Sequence, residues 1–598
     1  MCVRTEISLD GIWQVWIDRA NEYPSMIGPE FEAQLPDFLT RVEWQKCSVP
    51  SVWNVAEKSL MRFFGSAFYR TTFTCPAHAE NSTIQLYFGG VNYQCVAWVN
   101  GHFVGEHQSG YTSFTLDVSH AVYSDLENYN ELVVYANNAW EHEDRLPWVH
   151  TVDWFNYGGI HRSVTLVIVP PARIANFTLQ DTVDFGGKDG EVPNSIQLQA
   201  AVELGNNSLA DFSGSLTIEV WDWSRKIRIA SAEDQVSMGS MQSASVALVV
   251  DMGDNVQLWG PDRPTLYWLV FRLWGPDDQL CDEREWKWGF KTLEIRGPQF
   301  YLNNRPFILK GTNRHEDHPS FGLALPPSLH LFDLQKMKDA NINCFRGAHH
   351  ANDEAVLDLC DELGLFFVEE VPAYNLIPAD LRNPVILETA QRMFAEMHER
   401  DKNHACIFAW SLANEIHSEA PEGRQFLESC FAFARNLDPH RFLIYVSNKH
   451  LTDICYDLTD FLCVNIYDGW YSNRMEDFVH VIQTLREIML DEDRPFGSEK
   501  PIILSEFGAE GLAGYRSWDG AKWSEDYQAE LLHFYIQKCK ELGFIAGTWT
   551  WLFIDFRVDL PQRPDGRPRS YNNKGILNEF RLPKLAYDAV KKLYSEWT

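Results

Sequence analysis

The chain has 598 residues, of which 45% are hydrophobic and 14% aromatic, and its formal net charge at pH 7 is −32. A chain of this length exceeds a single hydrophobic core, so two to four domains are expected. A negative charge of this size argues against nucleic acid and anionic membranes as partners. It also disfavours anionic ligands unless their binding site supplies local cations.

The cysteines and the N-terminus indicate the compartment. The 12 cysteines are scattered without a CxxC pair, which is typical of reduced, mostly buried thiols rather than a disulfide framework. Residues 1–6 contain no apolar signal core, and no apolar run approaches the roughly 18 residues of a membrane-spanning helix. We therefore expect a cytoplasmic protein that makes no membrane contact.

Residues 1–172 are predicted to form an all-β domain. Short runs at 83–88 and 96–100 alternate apolar and polar residues, and the Asn100-Gly101 pair that follows is a strong hairpin signal. No helical period of useful length interrupts these runs. The pattern favours a β-sandwich of the jelly-roll type, and Pro170-Pro171 marks its end.

Residues 173–293 repeat the short-strand pattern. Alternating or apolar runs occur at 196–202, 215–220 and 267–271. Strands at this spacing over about 120 residues are typical of an immunoglobulin-like β-sandwich. Nothing in this region indicates chemistry.

From residue 294 to 598 strands and helices alternate, which predicts a (β/α)₈ TIM barrel. The eight apolar runs lie near Phe307, Ile342, Leu365, Ile407, Leu443, Phe461, Pro501 and Phe544. Helical segments are predicted at 331–340, 353–363, 390–400, 424–436, 475–489, 526–542 and 584–594. The sequence does not locate a helix after the fifth strand.

Two of the predicted barrel strands end in a glutamate. The run 408–415 closes strand four with Asn414-Glu415, and the run 501–508 places Glu506 at the end of strand seven. Either acid alone could simply begin a loop. Together they predict facing carboxylates at the C-terminal face of the barrel, where the active sites of such barrels lie.

A pair of carboxylates at a barrel mouth is the apparatus of glycoside hydrolysis. One acid donates a proton to the leaving oxygen, and the other either attacks the sugar or activates water. A separation of about 5–5.5 Å implies retention of configuration and a wider gap implies inversion, so both outcomes are open at this point. Asn414, next to Glu415, could hydrogen-bond a substrate hydroxyl.

Histidines and acids also cluster at 313–318, after the first strand, and His349-His350 follow the second. A metal site is one interpretation, but HEDH matches no known ligand spacing, so a hydrogen-bonding network at the strand ends is favoured. The chain contains no GxGxxG after a strand, no GxxxxGK[ST] and no GxSxG. We therefore expect no metal and no cofactor.

With these residues assembled, the chain resembles glycoside hydrolase family 2, the β-galactosidase and β-glucuronidase family, over nearly its whole length. The motifs are the signature at 153–162, the Asn-Arg-His-Glu-Asp element at 313–317, the Asn414-Glu415 pair and the Ser-Glu-Phe-Gly run at 505–508. The resemblance implies a retaining mechanism with Glu506 as nucleophile and Glu415 as acid/base.

The β-glucuronidase branch of this family carries an Asn-x-Lys motif for the sugar carboxylate, which matches Asn572 and Lys574 here. On its own the stretch could be a turn with a solvated lysine. A chain of this negative charge needs such a cation to hold an anionic sugar. The other substrate-binding residues implied by the resemblance are Asp153, His315, Asn414, Tyr467, Tyr471, Trp551 and Arg569.

The sequence departs from the β-glucuronidase pattern at one position. These enzymes usually place an arginine four residues before the Asn of the motif, where this chain has Pro568 between Arg567 and Arg569. This shift leaves room for a preference for galacturonides, or for both uronic acids.

The resemblance therefore implies an exo-acting retaining β-glucuronidase whose partner is a small glucuronide or other uronide. The alternatives are a β-galacturonidase or dual uronidase, and a β-galactosidase-like hydrolase of neutral sugars. A non-catalytic carbohydrate-binding protein is disfavoured, because a binding site needs neither an acid nor a nucleophile. Family members are often tetramers or dimers, so a homo-oligomer is expected.

Overall fold

The chain folds as two β-sandwiches followed by a closed barrel. The structure is a computed structural model that describes residues 3–23, 28–139, 145–147, 149, 152–187, 192–253, 256–491, 499–559 and 567–597. Within these ranges no helix combines the length and hydrophobicity that crossing a bilayer requires. The cysteines in the same ranges are free thiols, and all but Cys47 and Cys281 are buried.

The first sandwich packs a four-stranded sheet against a six-stranded sheet, as predicted for a jelly-roll type domain. In spatial order the smaller sheet contains Thr5–Ser8, Val164–Val169, Thr83–Phe88 and Phe114–Asp117. The larger contains Gln45–Val49, Gly11–Ile17, Ser66–Phe73, Asn130–Asn137, Gln94–Val99 and His102–Gln108. A two-stranded ribbon joins Val91–Asn92 to Gly159–Ile160.

One helix, Leu35–Arg41, lies in this otherwise β region, where none was expected. Only Leu35 and Phe38 of this helix are buried, too few residues for a helical period to be visible in the sequence. Phe38 packs on Phe68 of the larger sheet with ring centroids 4.3 Å apart. Single 3₁₀ turns occur at Pro29–Phe31, Trp53–Val55 and Lys58–Leu60.

The second sandwich has a three-stranded and a four-stranded sheet, in agreement with the predicted immunoglobulin-like architecture. The first contains Ala172–Asp184, Ser195–Asn206 and Ser243–Asp251. The second contains Arg228–Met238, Phe212–Trp221, Tyr267–Trp274 and Leu280–Trp288. Their inward-facing residues form a separate apolar core that includes Leu198, Ile218 and Phe271.

A small antiparallel sheet closes the bottom of the barrel. It consists of Leu293–Arg296, Gln299–Leu302 and Arg305–Phe307. Phe300, which is fully buried, packs on Phe408 and Phe461, with centroid distances of 5.2 and 5.0 Å. The open end of the barrel is therefore the opposite, C-terminal face.

The barrel has eight parallel strands in sequence order, as the sequence predicted. Barrel strands one to eight are Leu309–Arg314, Cys344–Gly347, Phe366–Glu370, Ile407–Asn414, Phe442–Ser447, Leu462–Asn465, Ile502–Glu506 and Ile545–Thr550. The first pairs with the eighth, Leu309 opposite Gly547, which closes the sheet. Strand four is buried on both faces along its whole length, which explains why it reads as a continuous apolar run.

Helices surround the barrel except after strand five. They are Pro327–Asp339, Glu354–Leu363, Pro378–Leu381, Pro384–Asp401, Pro421–Leu437, Asp477–Leu490, Glu525–Leu542 and Leu585–Ser595. Residues 448–461, which the structure describes in full, contain turns and no helix. Because these residues form no helix, the sequence analysis could not locate one after strand five.

The first sandwich reaches the barrel through the segment that carries the signature motif. Trp154, Phe155 and Tyr157 belong to the apolar core of the barrel rather than to the core of their own sandwich. The Tyr157 hydroxyl donates to Asp317, after strand one, at 3.2 Å. The first sandwich therefore helps to build the barrel mouth.

We predict that Gly158→Ala destabilises the protein, because Gly158 lies against the face of Trp53. An added Cβ would overlap the Trp53 indole, which is 3% exposed. Overpacking of this kind costs about 1–3 kcal/mol, which thermal unfolding would detect as a lower Tm.

Gly260→Ala is the matched control, since its Cβ would meet only a Leu302 methyl at 3.3 Å and an Asn303 amide at 3.9 Å. An unchanged Tm for Gly158→Ala would contradict the packing described here.

Candidate active site

The two glutamates predicted from sequence both lie at the mouth of the barrel, at the ends of strands four and seven. Glu506 is the last residue of strand seven and is 5% exposed. Glu415 directly follows strand four and has a left-handed backbone with φ of 52°. A non-glycine residue in this conformation is uncommon and occurs often at functional sites. Coulombic repulsion from Glu415 acts on Glu506, so the two carboxyls face a common space.

Arg346, on strand two, connects most of the polar groups around this space. Its buried guanidinium donates to both oxygens of Glu370, at 2.7 and 2.8 Å, and to Glu506 Oε1 at 2.8 Å. It also donates to the amide oxygens of Asn313 and Asn414, at 2.9 and 2.8 Å. One cation on strand two therefore orients groups from strands one, three, four and seven.

The positive charge of Arg346 lowers the pKa of the carboxyl groups that it contacts. Although burial favours the neutral acid, Arg346 and His349 hold the pKa of Glu370 at about 2. Glu370 is therefore an anion that keeps Arg346 in place, with Ser411 Oγ donating to it at 2.6 Å.

Glu506 is subject to opposing effects. Burial and, to a smaller extent, the Glu415 carboxyl raise its pKa to about 8 against the charge of Arg346. The Tyr467 hydroxyl donates to Glu506 Oε2 at 2.9 Å, and the Asn465 amide donates to Glu415 Oε1 at 2.8 Å. Carboxyls coupled in this way titrate as a pair that shares a proton.

Aromatic rings form one wall of the site. His315 stacks on Phe556 with centroids 4.0 Å apart, and His349 stacks on Trp551 at 5.2 Å. Burial lowers the pKa of His315 well below its usual value, so its imidazole is neutral. His315 Nε2 and Asn414 Nδ2 are buried and have no hydrogen-bond partner among the described residues. Unsatisfied buried groups of this kind are available to a ligand.

Two buried cations, Lys574 and Arg567, lie at the other end of the site. Lys574 Nζ donates to the Tyr471 hydroxyl at 2.8 Å and lies 3.5 Å from Glu510 Oε1. Arg567 donates to Asp153 Oδ2 at 2.7 Å, to the Tyr471 hydroxyl at 3.2 Å and to Glu510. The side chains of Lys574 and Arg567 are 0% and 5% exposed.

Asp153 brings the first sandwich into this cluster. The Asn572 amide donates to Asp153 Oδ2 at 2.9 Å, beside Arg567. The structure therefore unites most of the residues predicted from sequence in one site. They are Asp153, His315, Asn414, Glu415, Tyr467, Tyr471, Glu506, Trp551, Asn572 and Lys574.

Arg569 is the one residue of that prediction that the described contacts do not place in this cluster. Its guanidinium donates to Glu579 Oε1 at 2.6 Å and to Asn573 Oδ1 at 2.8 Å, and the side chain is about half exposed. Arg569 and Ser570 both have φ near 60°, which turns the backbone between Arg567 and Asn572. Arg567, rather than Arg569, contacts Asp153 and Glu510, and substrate binding by Arg569 stays a prediction.

The remaining acids at 313–318 are hydrogen-bonded to protein groups. Glu316 Oε2 accepts from Arg162, in the first sandwich, at 3.0 Å. Asp317 accepts from Tyr157 as described above. His350, after strand two, stacks on Tyr111 at 3.9 Å. These contacts form the strand-end network that the sequence favoured, and they fix the first sandwich to the barrel.

Sequence reasoning missed five residues of the site: Arg346, Glu370, Asn465, Glu510 and Arg567. Three of them lie within or at the end of short buried strands. A charged or amide residue in a buried strand is itself a signal, and applying it to every strand would have found Arg346, Glu370 and Asn465. Glu510, four residues after Glu506, has no such signal.

We predict that Arg346→Met strongly lowers stability, because it leaves the buried Glu370 and Glu506 without their cation. Breaking a buried ion pair in this way costs about 3–5 kcal/mol. Thermal unfolding is the measurement, and Arg346→Lys is the control, since it keeps the charge but loses the forked geometry. A methionine variant more stable than the lysine variant would contradict the role given to the Arg346 charge.

Family models match almost the whole chain. The model described as "Glycosyl hydrolases family 2, TIM barrel domain" matches residues 293–598, and the corresponding sugar binding domain matches residues 7–170. A third, described as "Glycosyl hydrolases family 2", matches residues 187–291.

Individual relatives are similar over comparable lengths. A β-glucuronidase of Paenibacillus borealis is 29% identical over 580 residues, which are 92% of this chain and 91% of the relative. The structure of a β-galacturonidase from Eisenbergiella tayi bound to galacturonate is 28% identical with a TM-score of 0.85, covering 100% of this chain and 98% of that one. A Ruminococcus gnavus β-glucuronidase in complex with D-glucuronic acid is 25% identical with a TM-score of 0.85, covering 99% and 98%. The chain belongs to glycosyl hydrolases family 2 and is a glycoside hydrolase.

Proposed function

We propose that the protein removes terminal β-D-glucuronic acid from glucuronides by a retaining double displacement, with Glu506 as nucleophile and Glu415 as acid/base. The observation that carries the substrate class is the buried pair of cations, Lys574 and Arg567, in a chain whose net charge is −32. A buried ammonium beside a catalytic pair is suited to a sugar carboxylate, through charge-assisted hydrogen bonds.

The hydrogen bonds of the two glutamates support these roles. Glu506 accepts from the Arg346 cation and from Tyr467, whereas Glu415 accepts from the neutral Asn465 amide. A neighbouring cation favours the ionised form of a carboxyl. Burial and the charge of Glu415 raise the pKa of Glu506, so the two carboxyls hold one proton between them near neutral pH. Because the Arg346 cation donates to Glu506, we assign that proton to Glu415 and the negative charge to Glu506 in the free enzyme.

The reaction then follows in two steps. Glu415 donates its proton to the glycosidic oxygen while a Glu506 oxygen attacks the anomeric carbon, so that the aglycone leaves as a neutral alcohol or phenol. Glu415, now ionised, takes a proton from water, whose oxygen displaces Glu506 from the sugar. Glucuronic acid leaves with its original anomeric configuration, and both glutamates return to their starting states.

The unsatisfied polar atoms fit the ring of such a substrate. Asn414 Nδ2 and His315 Nε2 are available to sugar hydroxyls, and the network of Asp153, Arg567 and Asn572 offers further donors and acceptors. Trp551, 4% exposed, supplies an apolar surface of the kind that packs against sugar rings.

A galacturonide substrate is the second candidate. Arg567, rather than an arginine at position 568, occupies the polar end of the site, and the similar Eisenbergiella tayi structure is described as a β-galacturonidase. The two sugars differ only in the orientation of one hydroxyl, and either would present its carboxylate to Lys574. A cytoplasmic location and a homo-oligomeric state, dimer or tetramer, stay predictions from the sequence.

Assays of aryl β-D-glucuronide, β-D-galacturonide and β-D-galactoside test the proposal together with Lys574→Met. We expect the wild type to prefer a uronide. The variant should lose roughly 10- to 100-fold in kcat/KM on that uronide, because a hydrogen bond to a charged group contributes about 1.5–3 kcal/mol. A wild type that prefers the neutral galactoside would overturn the proposed function.

Arg569→Met is the matched control, since it removes a nearby cation that contacts Glu579 rather than the site. It should change kcat/KM less than about threefold, within the usual effect of a surface substitution. Equal losses on uronide and galactoside for Lys574→Met would mean that this lysine supports only the fold.

The pH dependence tests the roles of the two glutamates. The active form carries one proton on the pair of carboxyls. That proton is lost on the basic side of neutrality, because burial and the Glu415 charge raise the pKa of Glu506 and the two carboxyls titrate together. The kcat/KM of the wild type should therefore fall on the basic side, because Glu415 no longer has a proton to donate. The test substrate for Glu415→Gln is a dinitrophenyl glucuronide, because its leaving group needs no proton. With this substrate, the kcat/KM of Glu415→Gln should no longer fall on the basic side of the pH profile (the basic limb).

Turnover of an unactivated aryl glucuronide by Glu415→Gln should fall by roughly 10²- to 10⁴-fold, the usual contribution of general acid catalysis. Glu506→Gln serves as the comparison and should be inactive on both substrates. Persistence of the basic limb in Glu415→Gln would assign the proton to another residue.

A further inference from the structure

The cations at the polar end of the site are already neutralised without substrate. Lys574 and Arg567 carry two positive charges, and Asp153 and Glu510 carry two negative charges. The four side chains are 0%, 5%, 10% and 0% exposed, respectively. Charges this deeply buried interact strongly, because little water screens them.

Glu510 contacts both cations at once. Its Oε1 accepts from Arg567 Nη1 and lies 3.5 Å from Lys574 Nζ. Its other oxygen, Oε2, accepts from the backbone and side-chain amides of Asn573, at 3.2 and 3.1 Å. Glu510 is therefore held by the segment that carries Asn572 and Lys574, on the protein side of the two cations.

A uronate changes this charge balance. When its carboxylate approaches Lys574, three carboxylates share two cations in a buried space. Glu510 and the incoming carboxylate then compete for the same donors and repel each other. A neutral sugar brings no such charge and experiences no such competition.

We propose that Glu510 is a positioning residue that sets the affinity of the site for uronic acids, by holding Lys574 and Arg567 and competing with the substrate carboxylate for them. The inference rests on the proposed uronide hydrolysis. Substrate and product carry the same carboxylate, so Glu510 weakens the binding of both equally. Such uniform weakening raises KM and speeds release of the uronic acid product without changing the chemical step.

Glu510→Gln is the direct test, because it removes the charge, preserves the shape and leaves an amide oxygen for Asn573 or the cations. The KM for aryl glucuronide and the inhibition constant of free glucuronate should both fall roughly tenfold. This is the effect of about 1.4 kcal/mol of lost repulsion. The single-turnover rate and the KM for a neutral aryl β-glucoside should stay within about threefold of wild type, because uniform binding leaves the chemical step unchanged.

Glu579→Gln is the matched control. Glu579 is an acid of the same segment, 7% exposed in its side chain, whose partner is Arg569. The same substitution there should leave the glucuronate inhibition constant unchanged. Glu510→Asp, which keeps the charge, should also stay near the wild-type value.

The outcomes separate this inference from the proposed function. A wild type that turns over glucuronides, with a Glu510→Gln variant whose KM is unchanged or higher, would overturn the inference alone. Equal losses on uronide and neutral glycoside would show that Glu510 serves only the fold, which also overturns it. A wild type that prefers neutral galactosides would instead refute the proposed function, before any variant is made.

If Glu510→Gln alone does not fold, the inference can be tested by combining it with Lys574→Met. Lys574→Met removes one buried cation, so Glu510→Gln added to it restores the charge balance. The double variant should bind glucuronate more tightly than Lys574→Met alone. Weaker binding by the double variant would overturn the inference.

Discussion

The site depends on one buried cation. Arg346 donates to carboxylates and amides that arrive from four other barrel strands. Its planar guanidinium satisfies several acceptors in fixed directions, which a lysine ammonium does not do. The same charge keeps Glu370 ionised and, in the proposed mechanism, places the negative charge of the carboxyl pair on Glu506. In that mechanism the geometry and the protonation of Glu415 and Glu506 have a common origin.

A second electrostatic network lies at the polar end of the site and joins two domains. Asp153 comes from the first sandwich, whereas Arg567 and Asn572 follow barrel strand eight. Their contacts, together with the Arg162–Glu316 ion pair, mean that the site is complete only when the sandwich is docked. This explains why the aromatic residues of the signature segment pack in the barrel core. In the proposed function, substrate recognition and domain assembly use the same residues, so a change at this interface would affect both.

Much of the fold could be predicted because its signals are local. The eight barrel strands are almost entirely buried and lie at or beside apolar runs, and helices such as Glu354–Leu363 and Pro421–Leu437 show a clear amphipathic period. Helix Leu35–Arg41 was missed because it buries only two residues. The sequence predicted that Glu415 and Glu506 lie at the same barrel mouth because both stand at the ends of buried strands, and parallel strands bring their ends together by topology alone. Their catalytic roles stay a prediction. Arg346 and Glu370 also lie in or at the end of buried strands, so the same reasoning could have predicted them.

The sequence by itself determined the domain order, the barrel and the positions of Glu415, Glu506, Asn572 and Lys574, since these follow from periodicity, strand ends and local motifs. Only the tertiary structure decided which arginine enters the site. Arg567 and Arg569 are two residues apart, and nothing local distinguishes them. The left-handed backbone at Arg569 and Ser570 directs Arg567 towards Asp153 and Glu510, and Arg569 towards Glu579. Side-chain direction in such a turn depends on the partners that the folded chain brings within reach, and those partners are as much as 414 residues away in sequence.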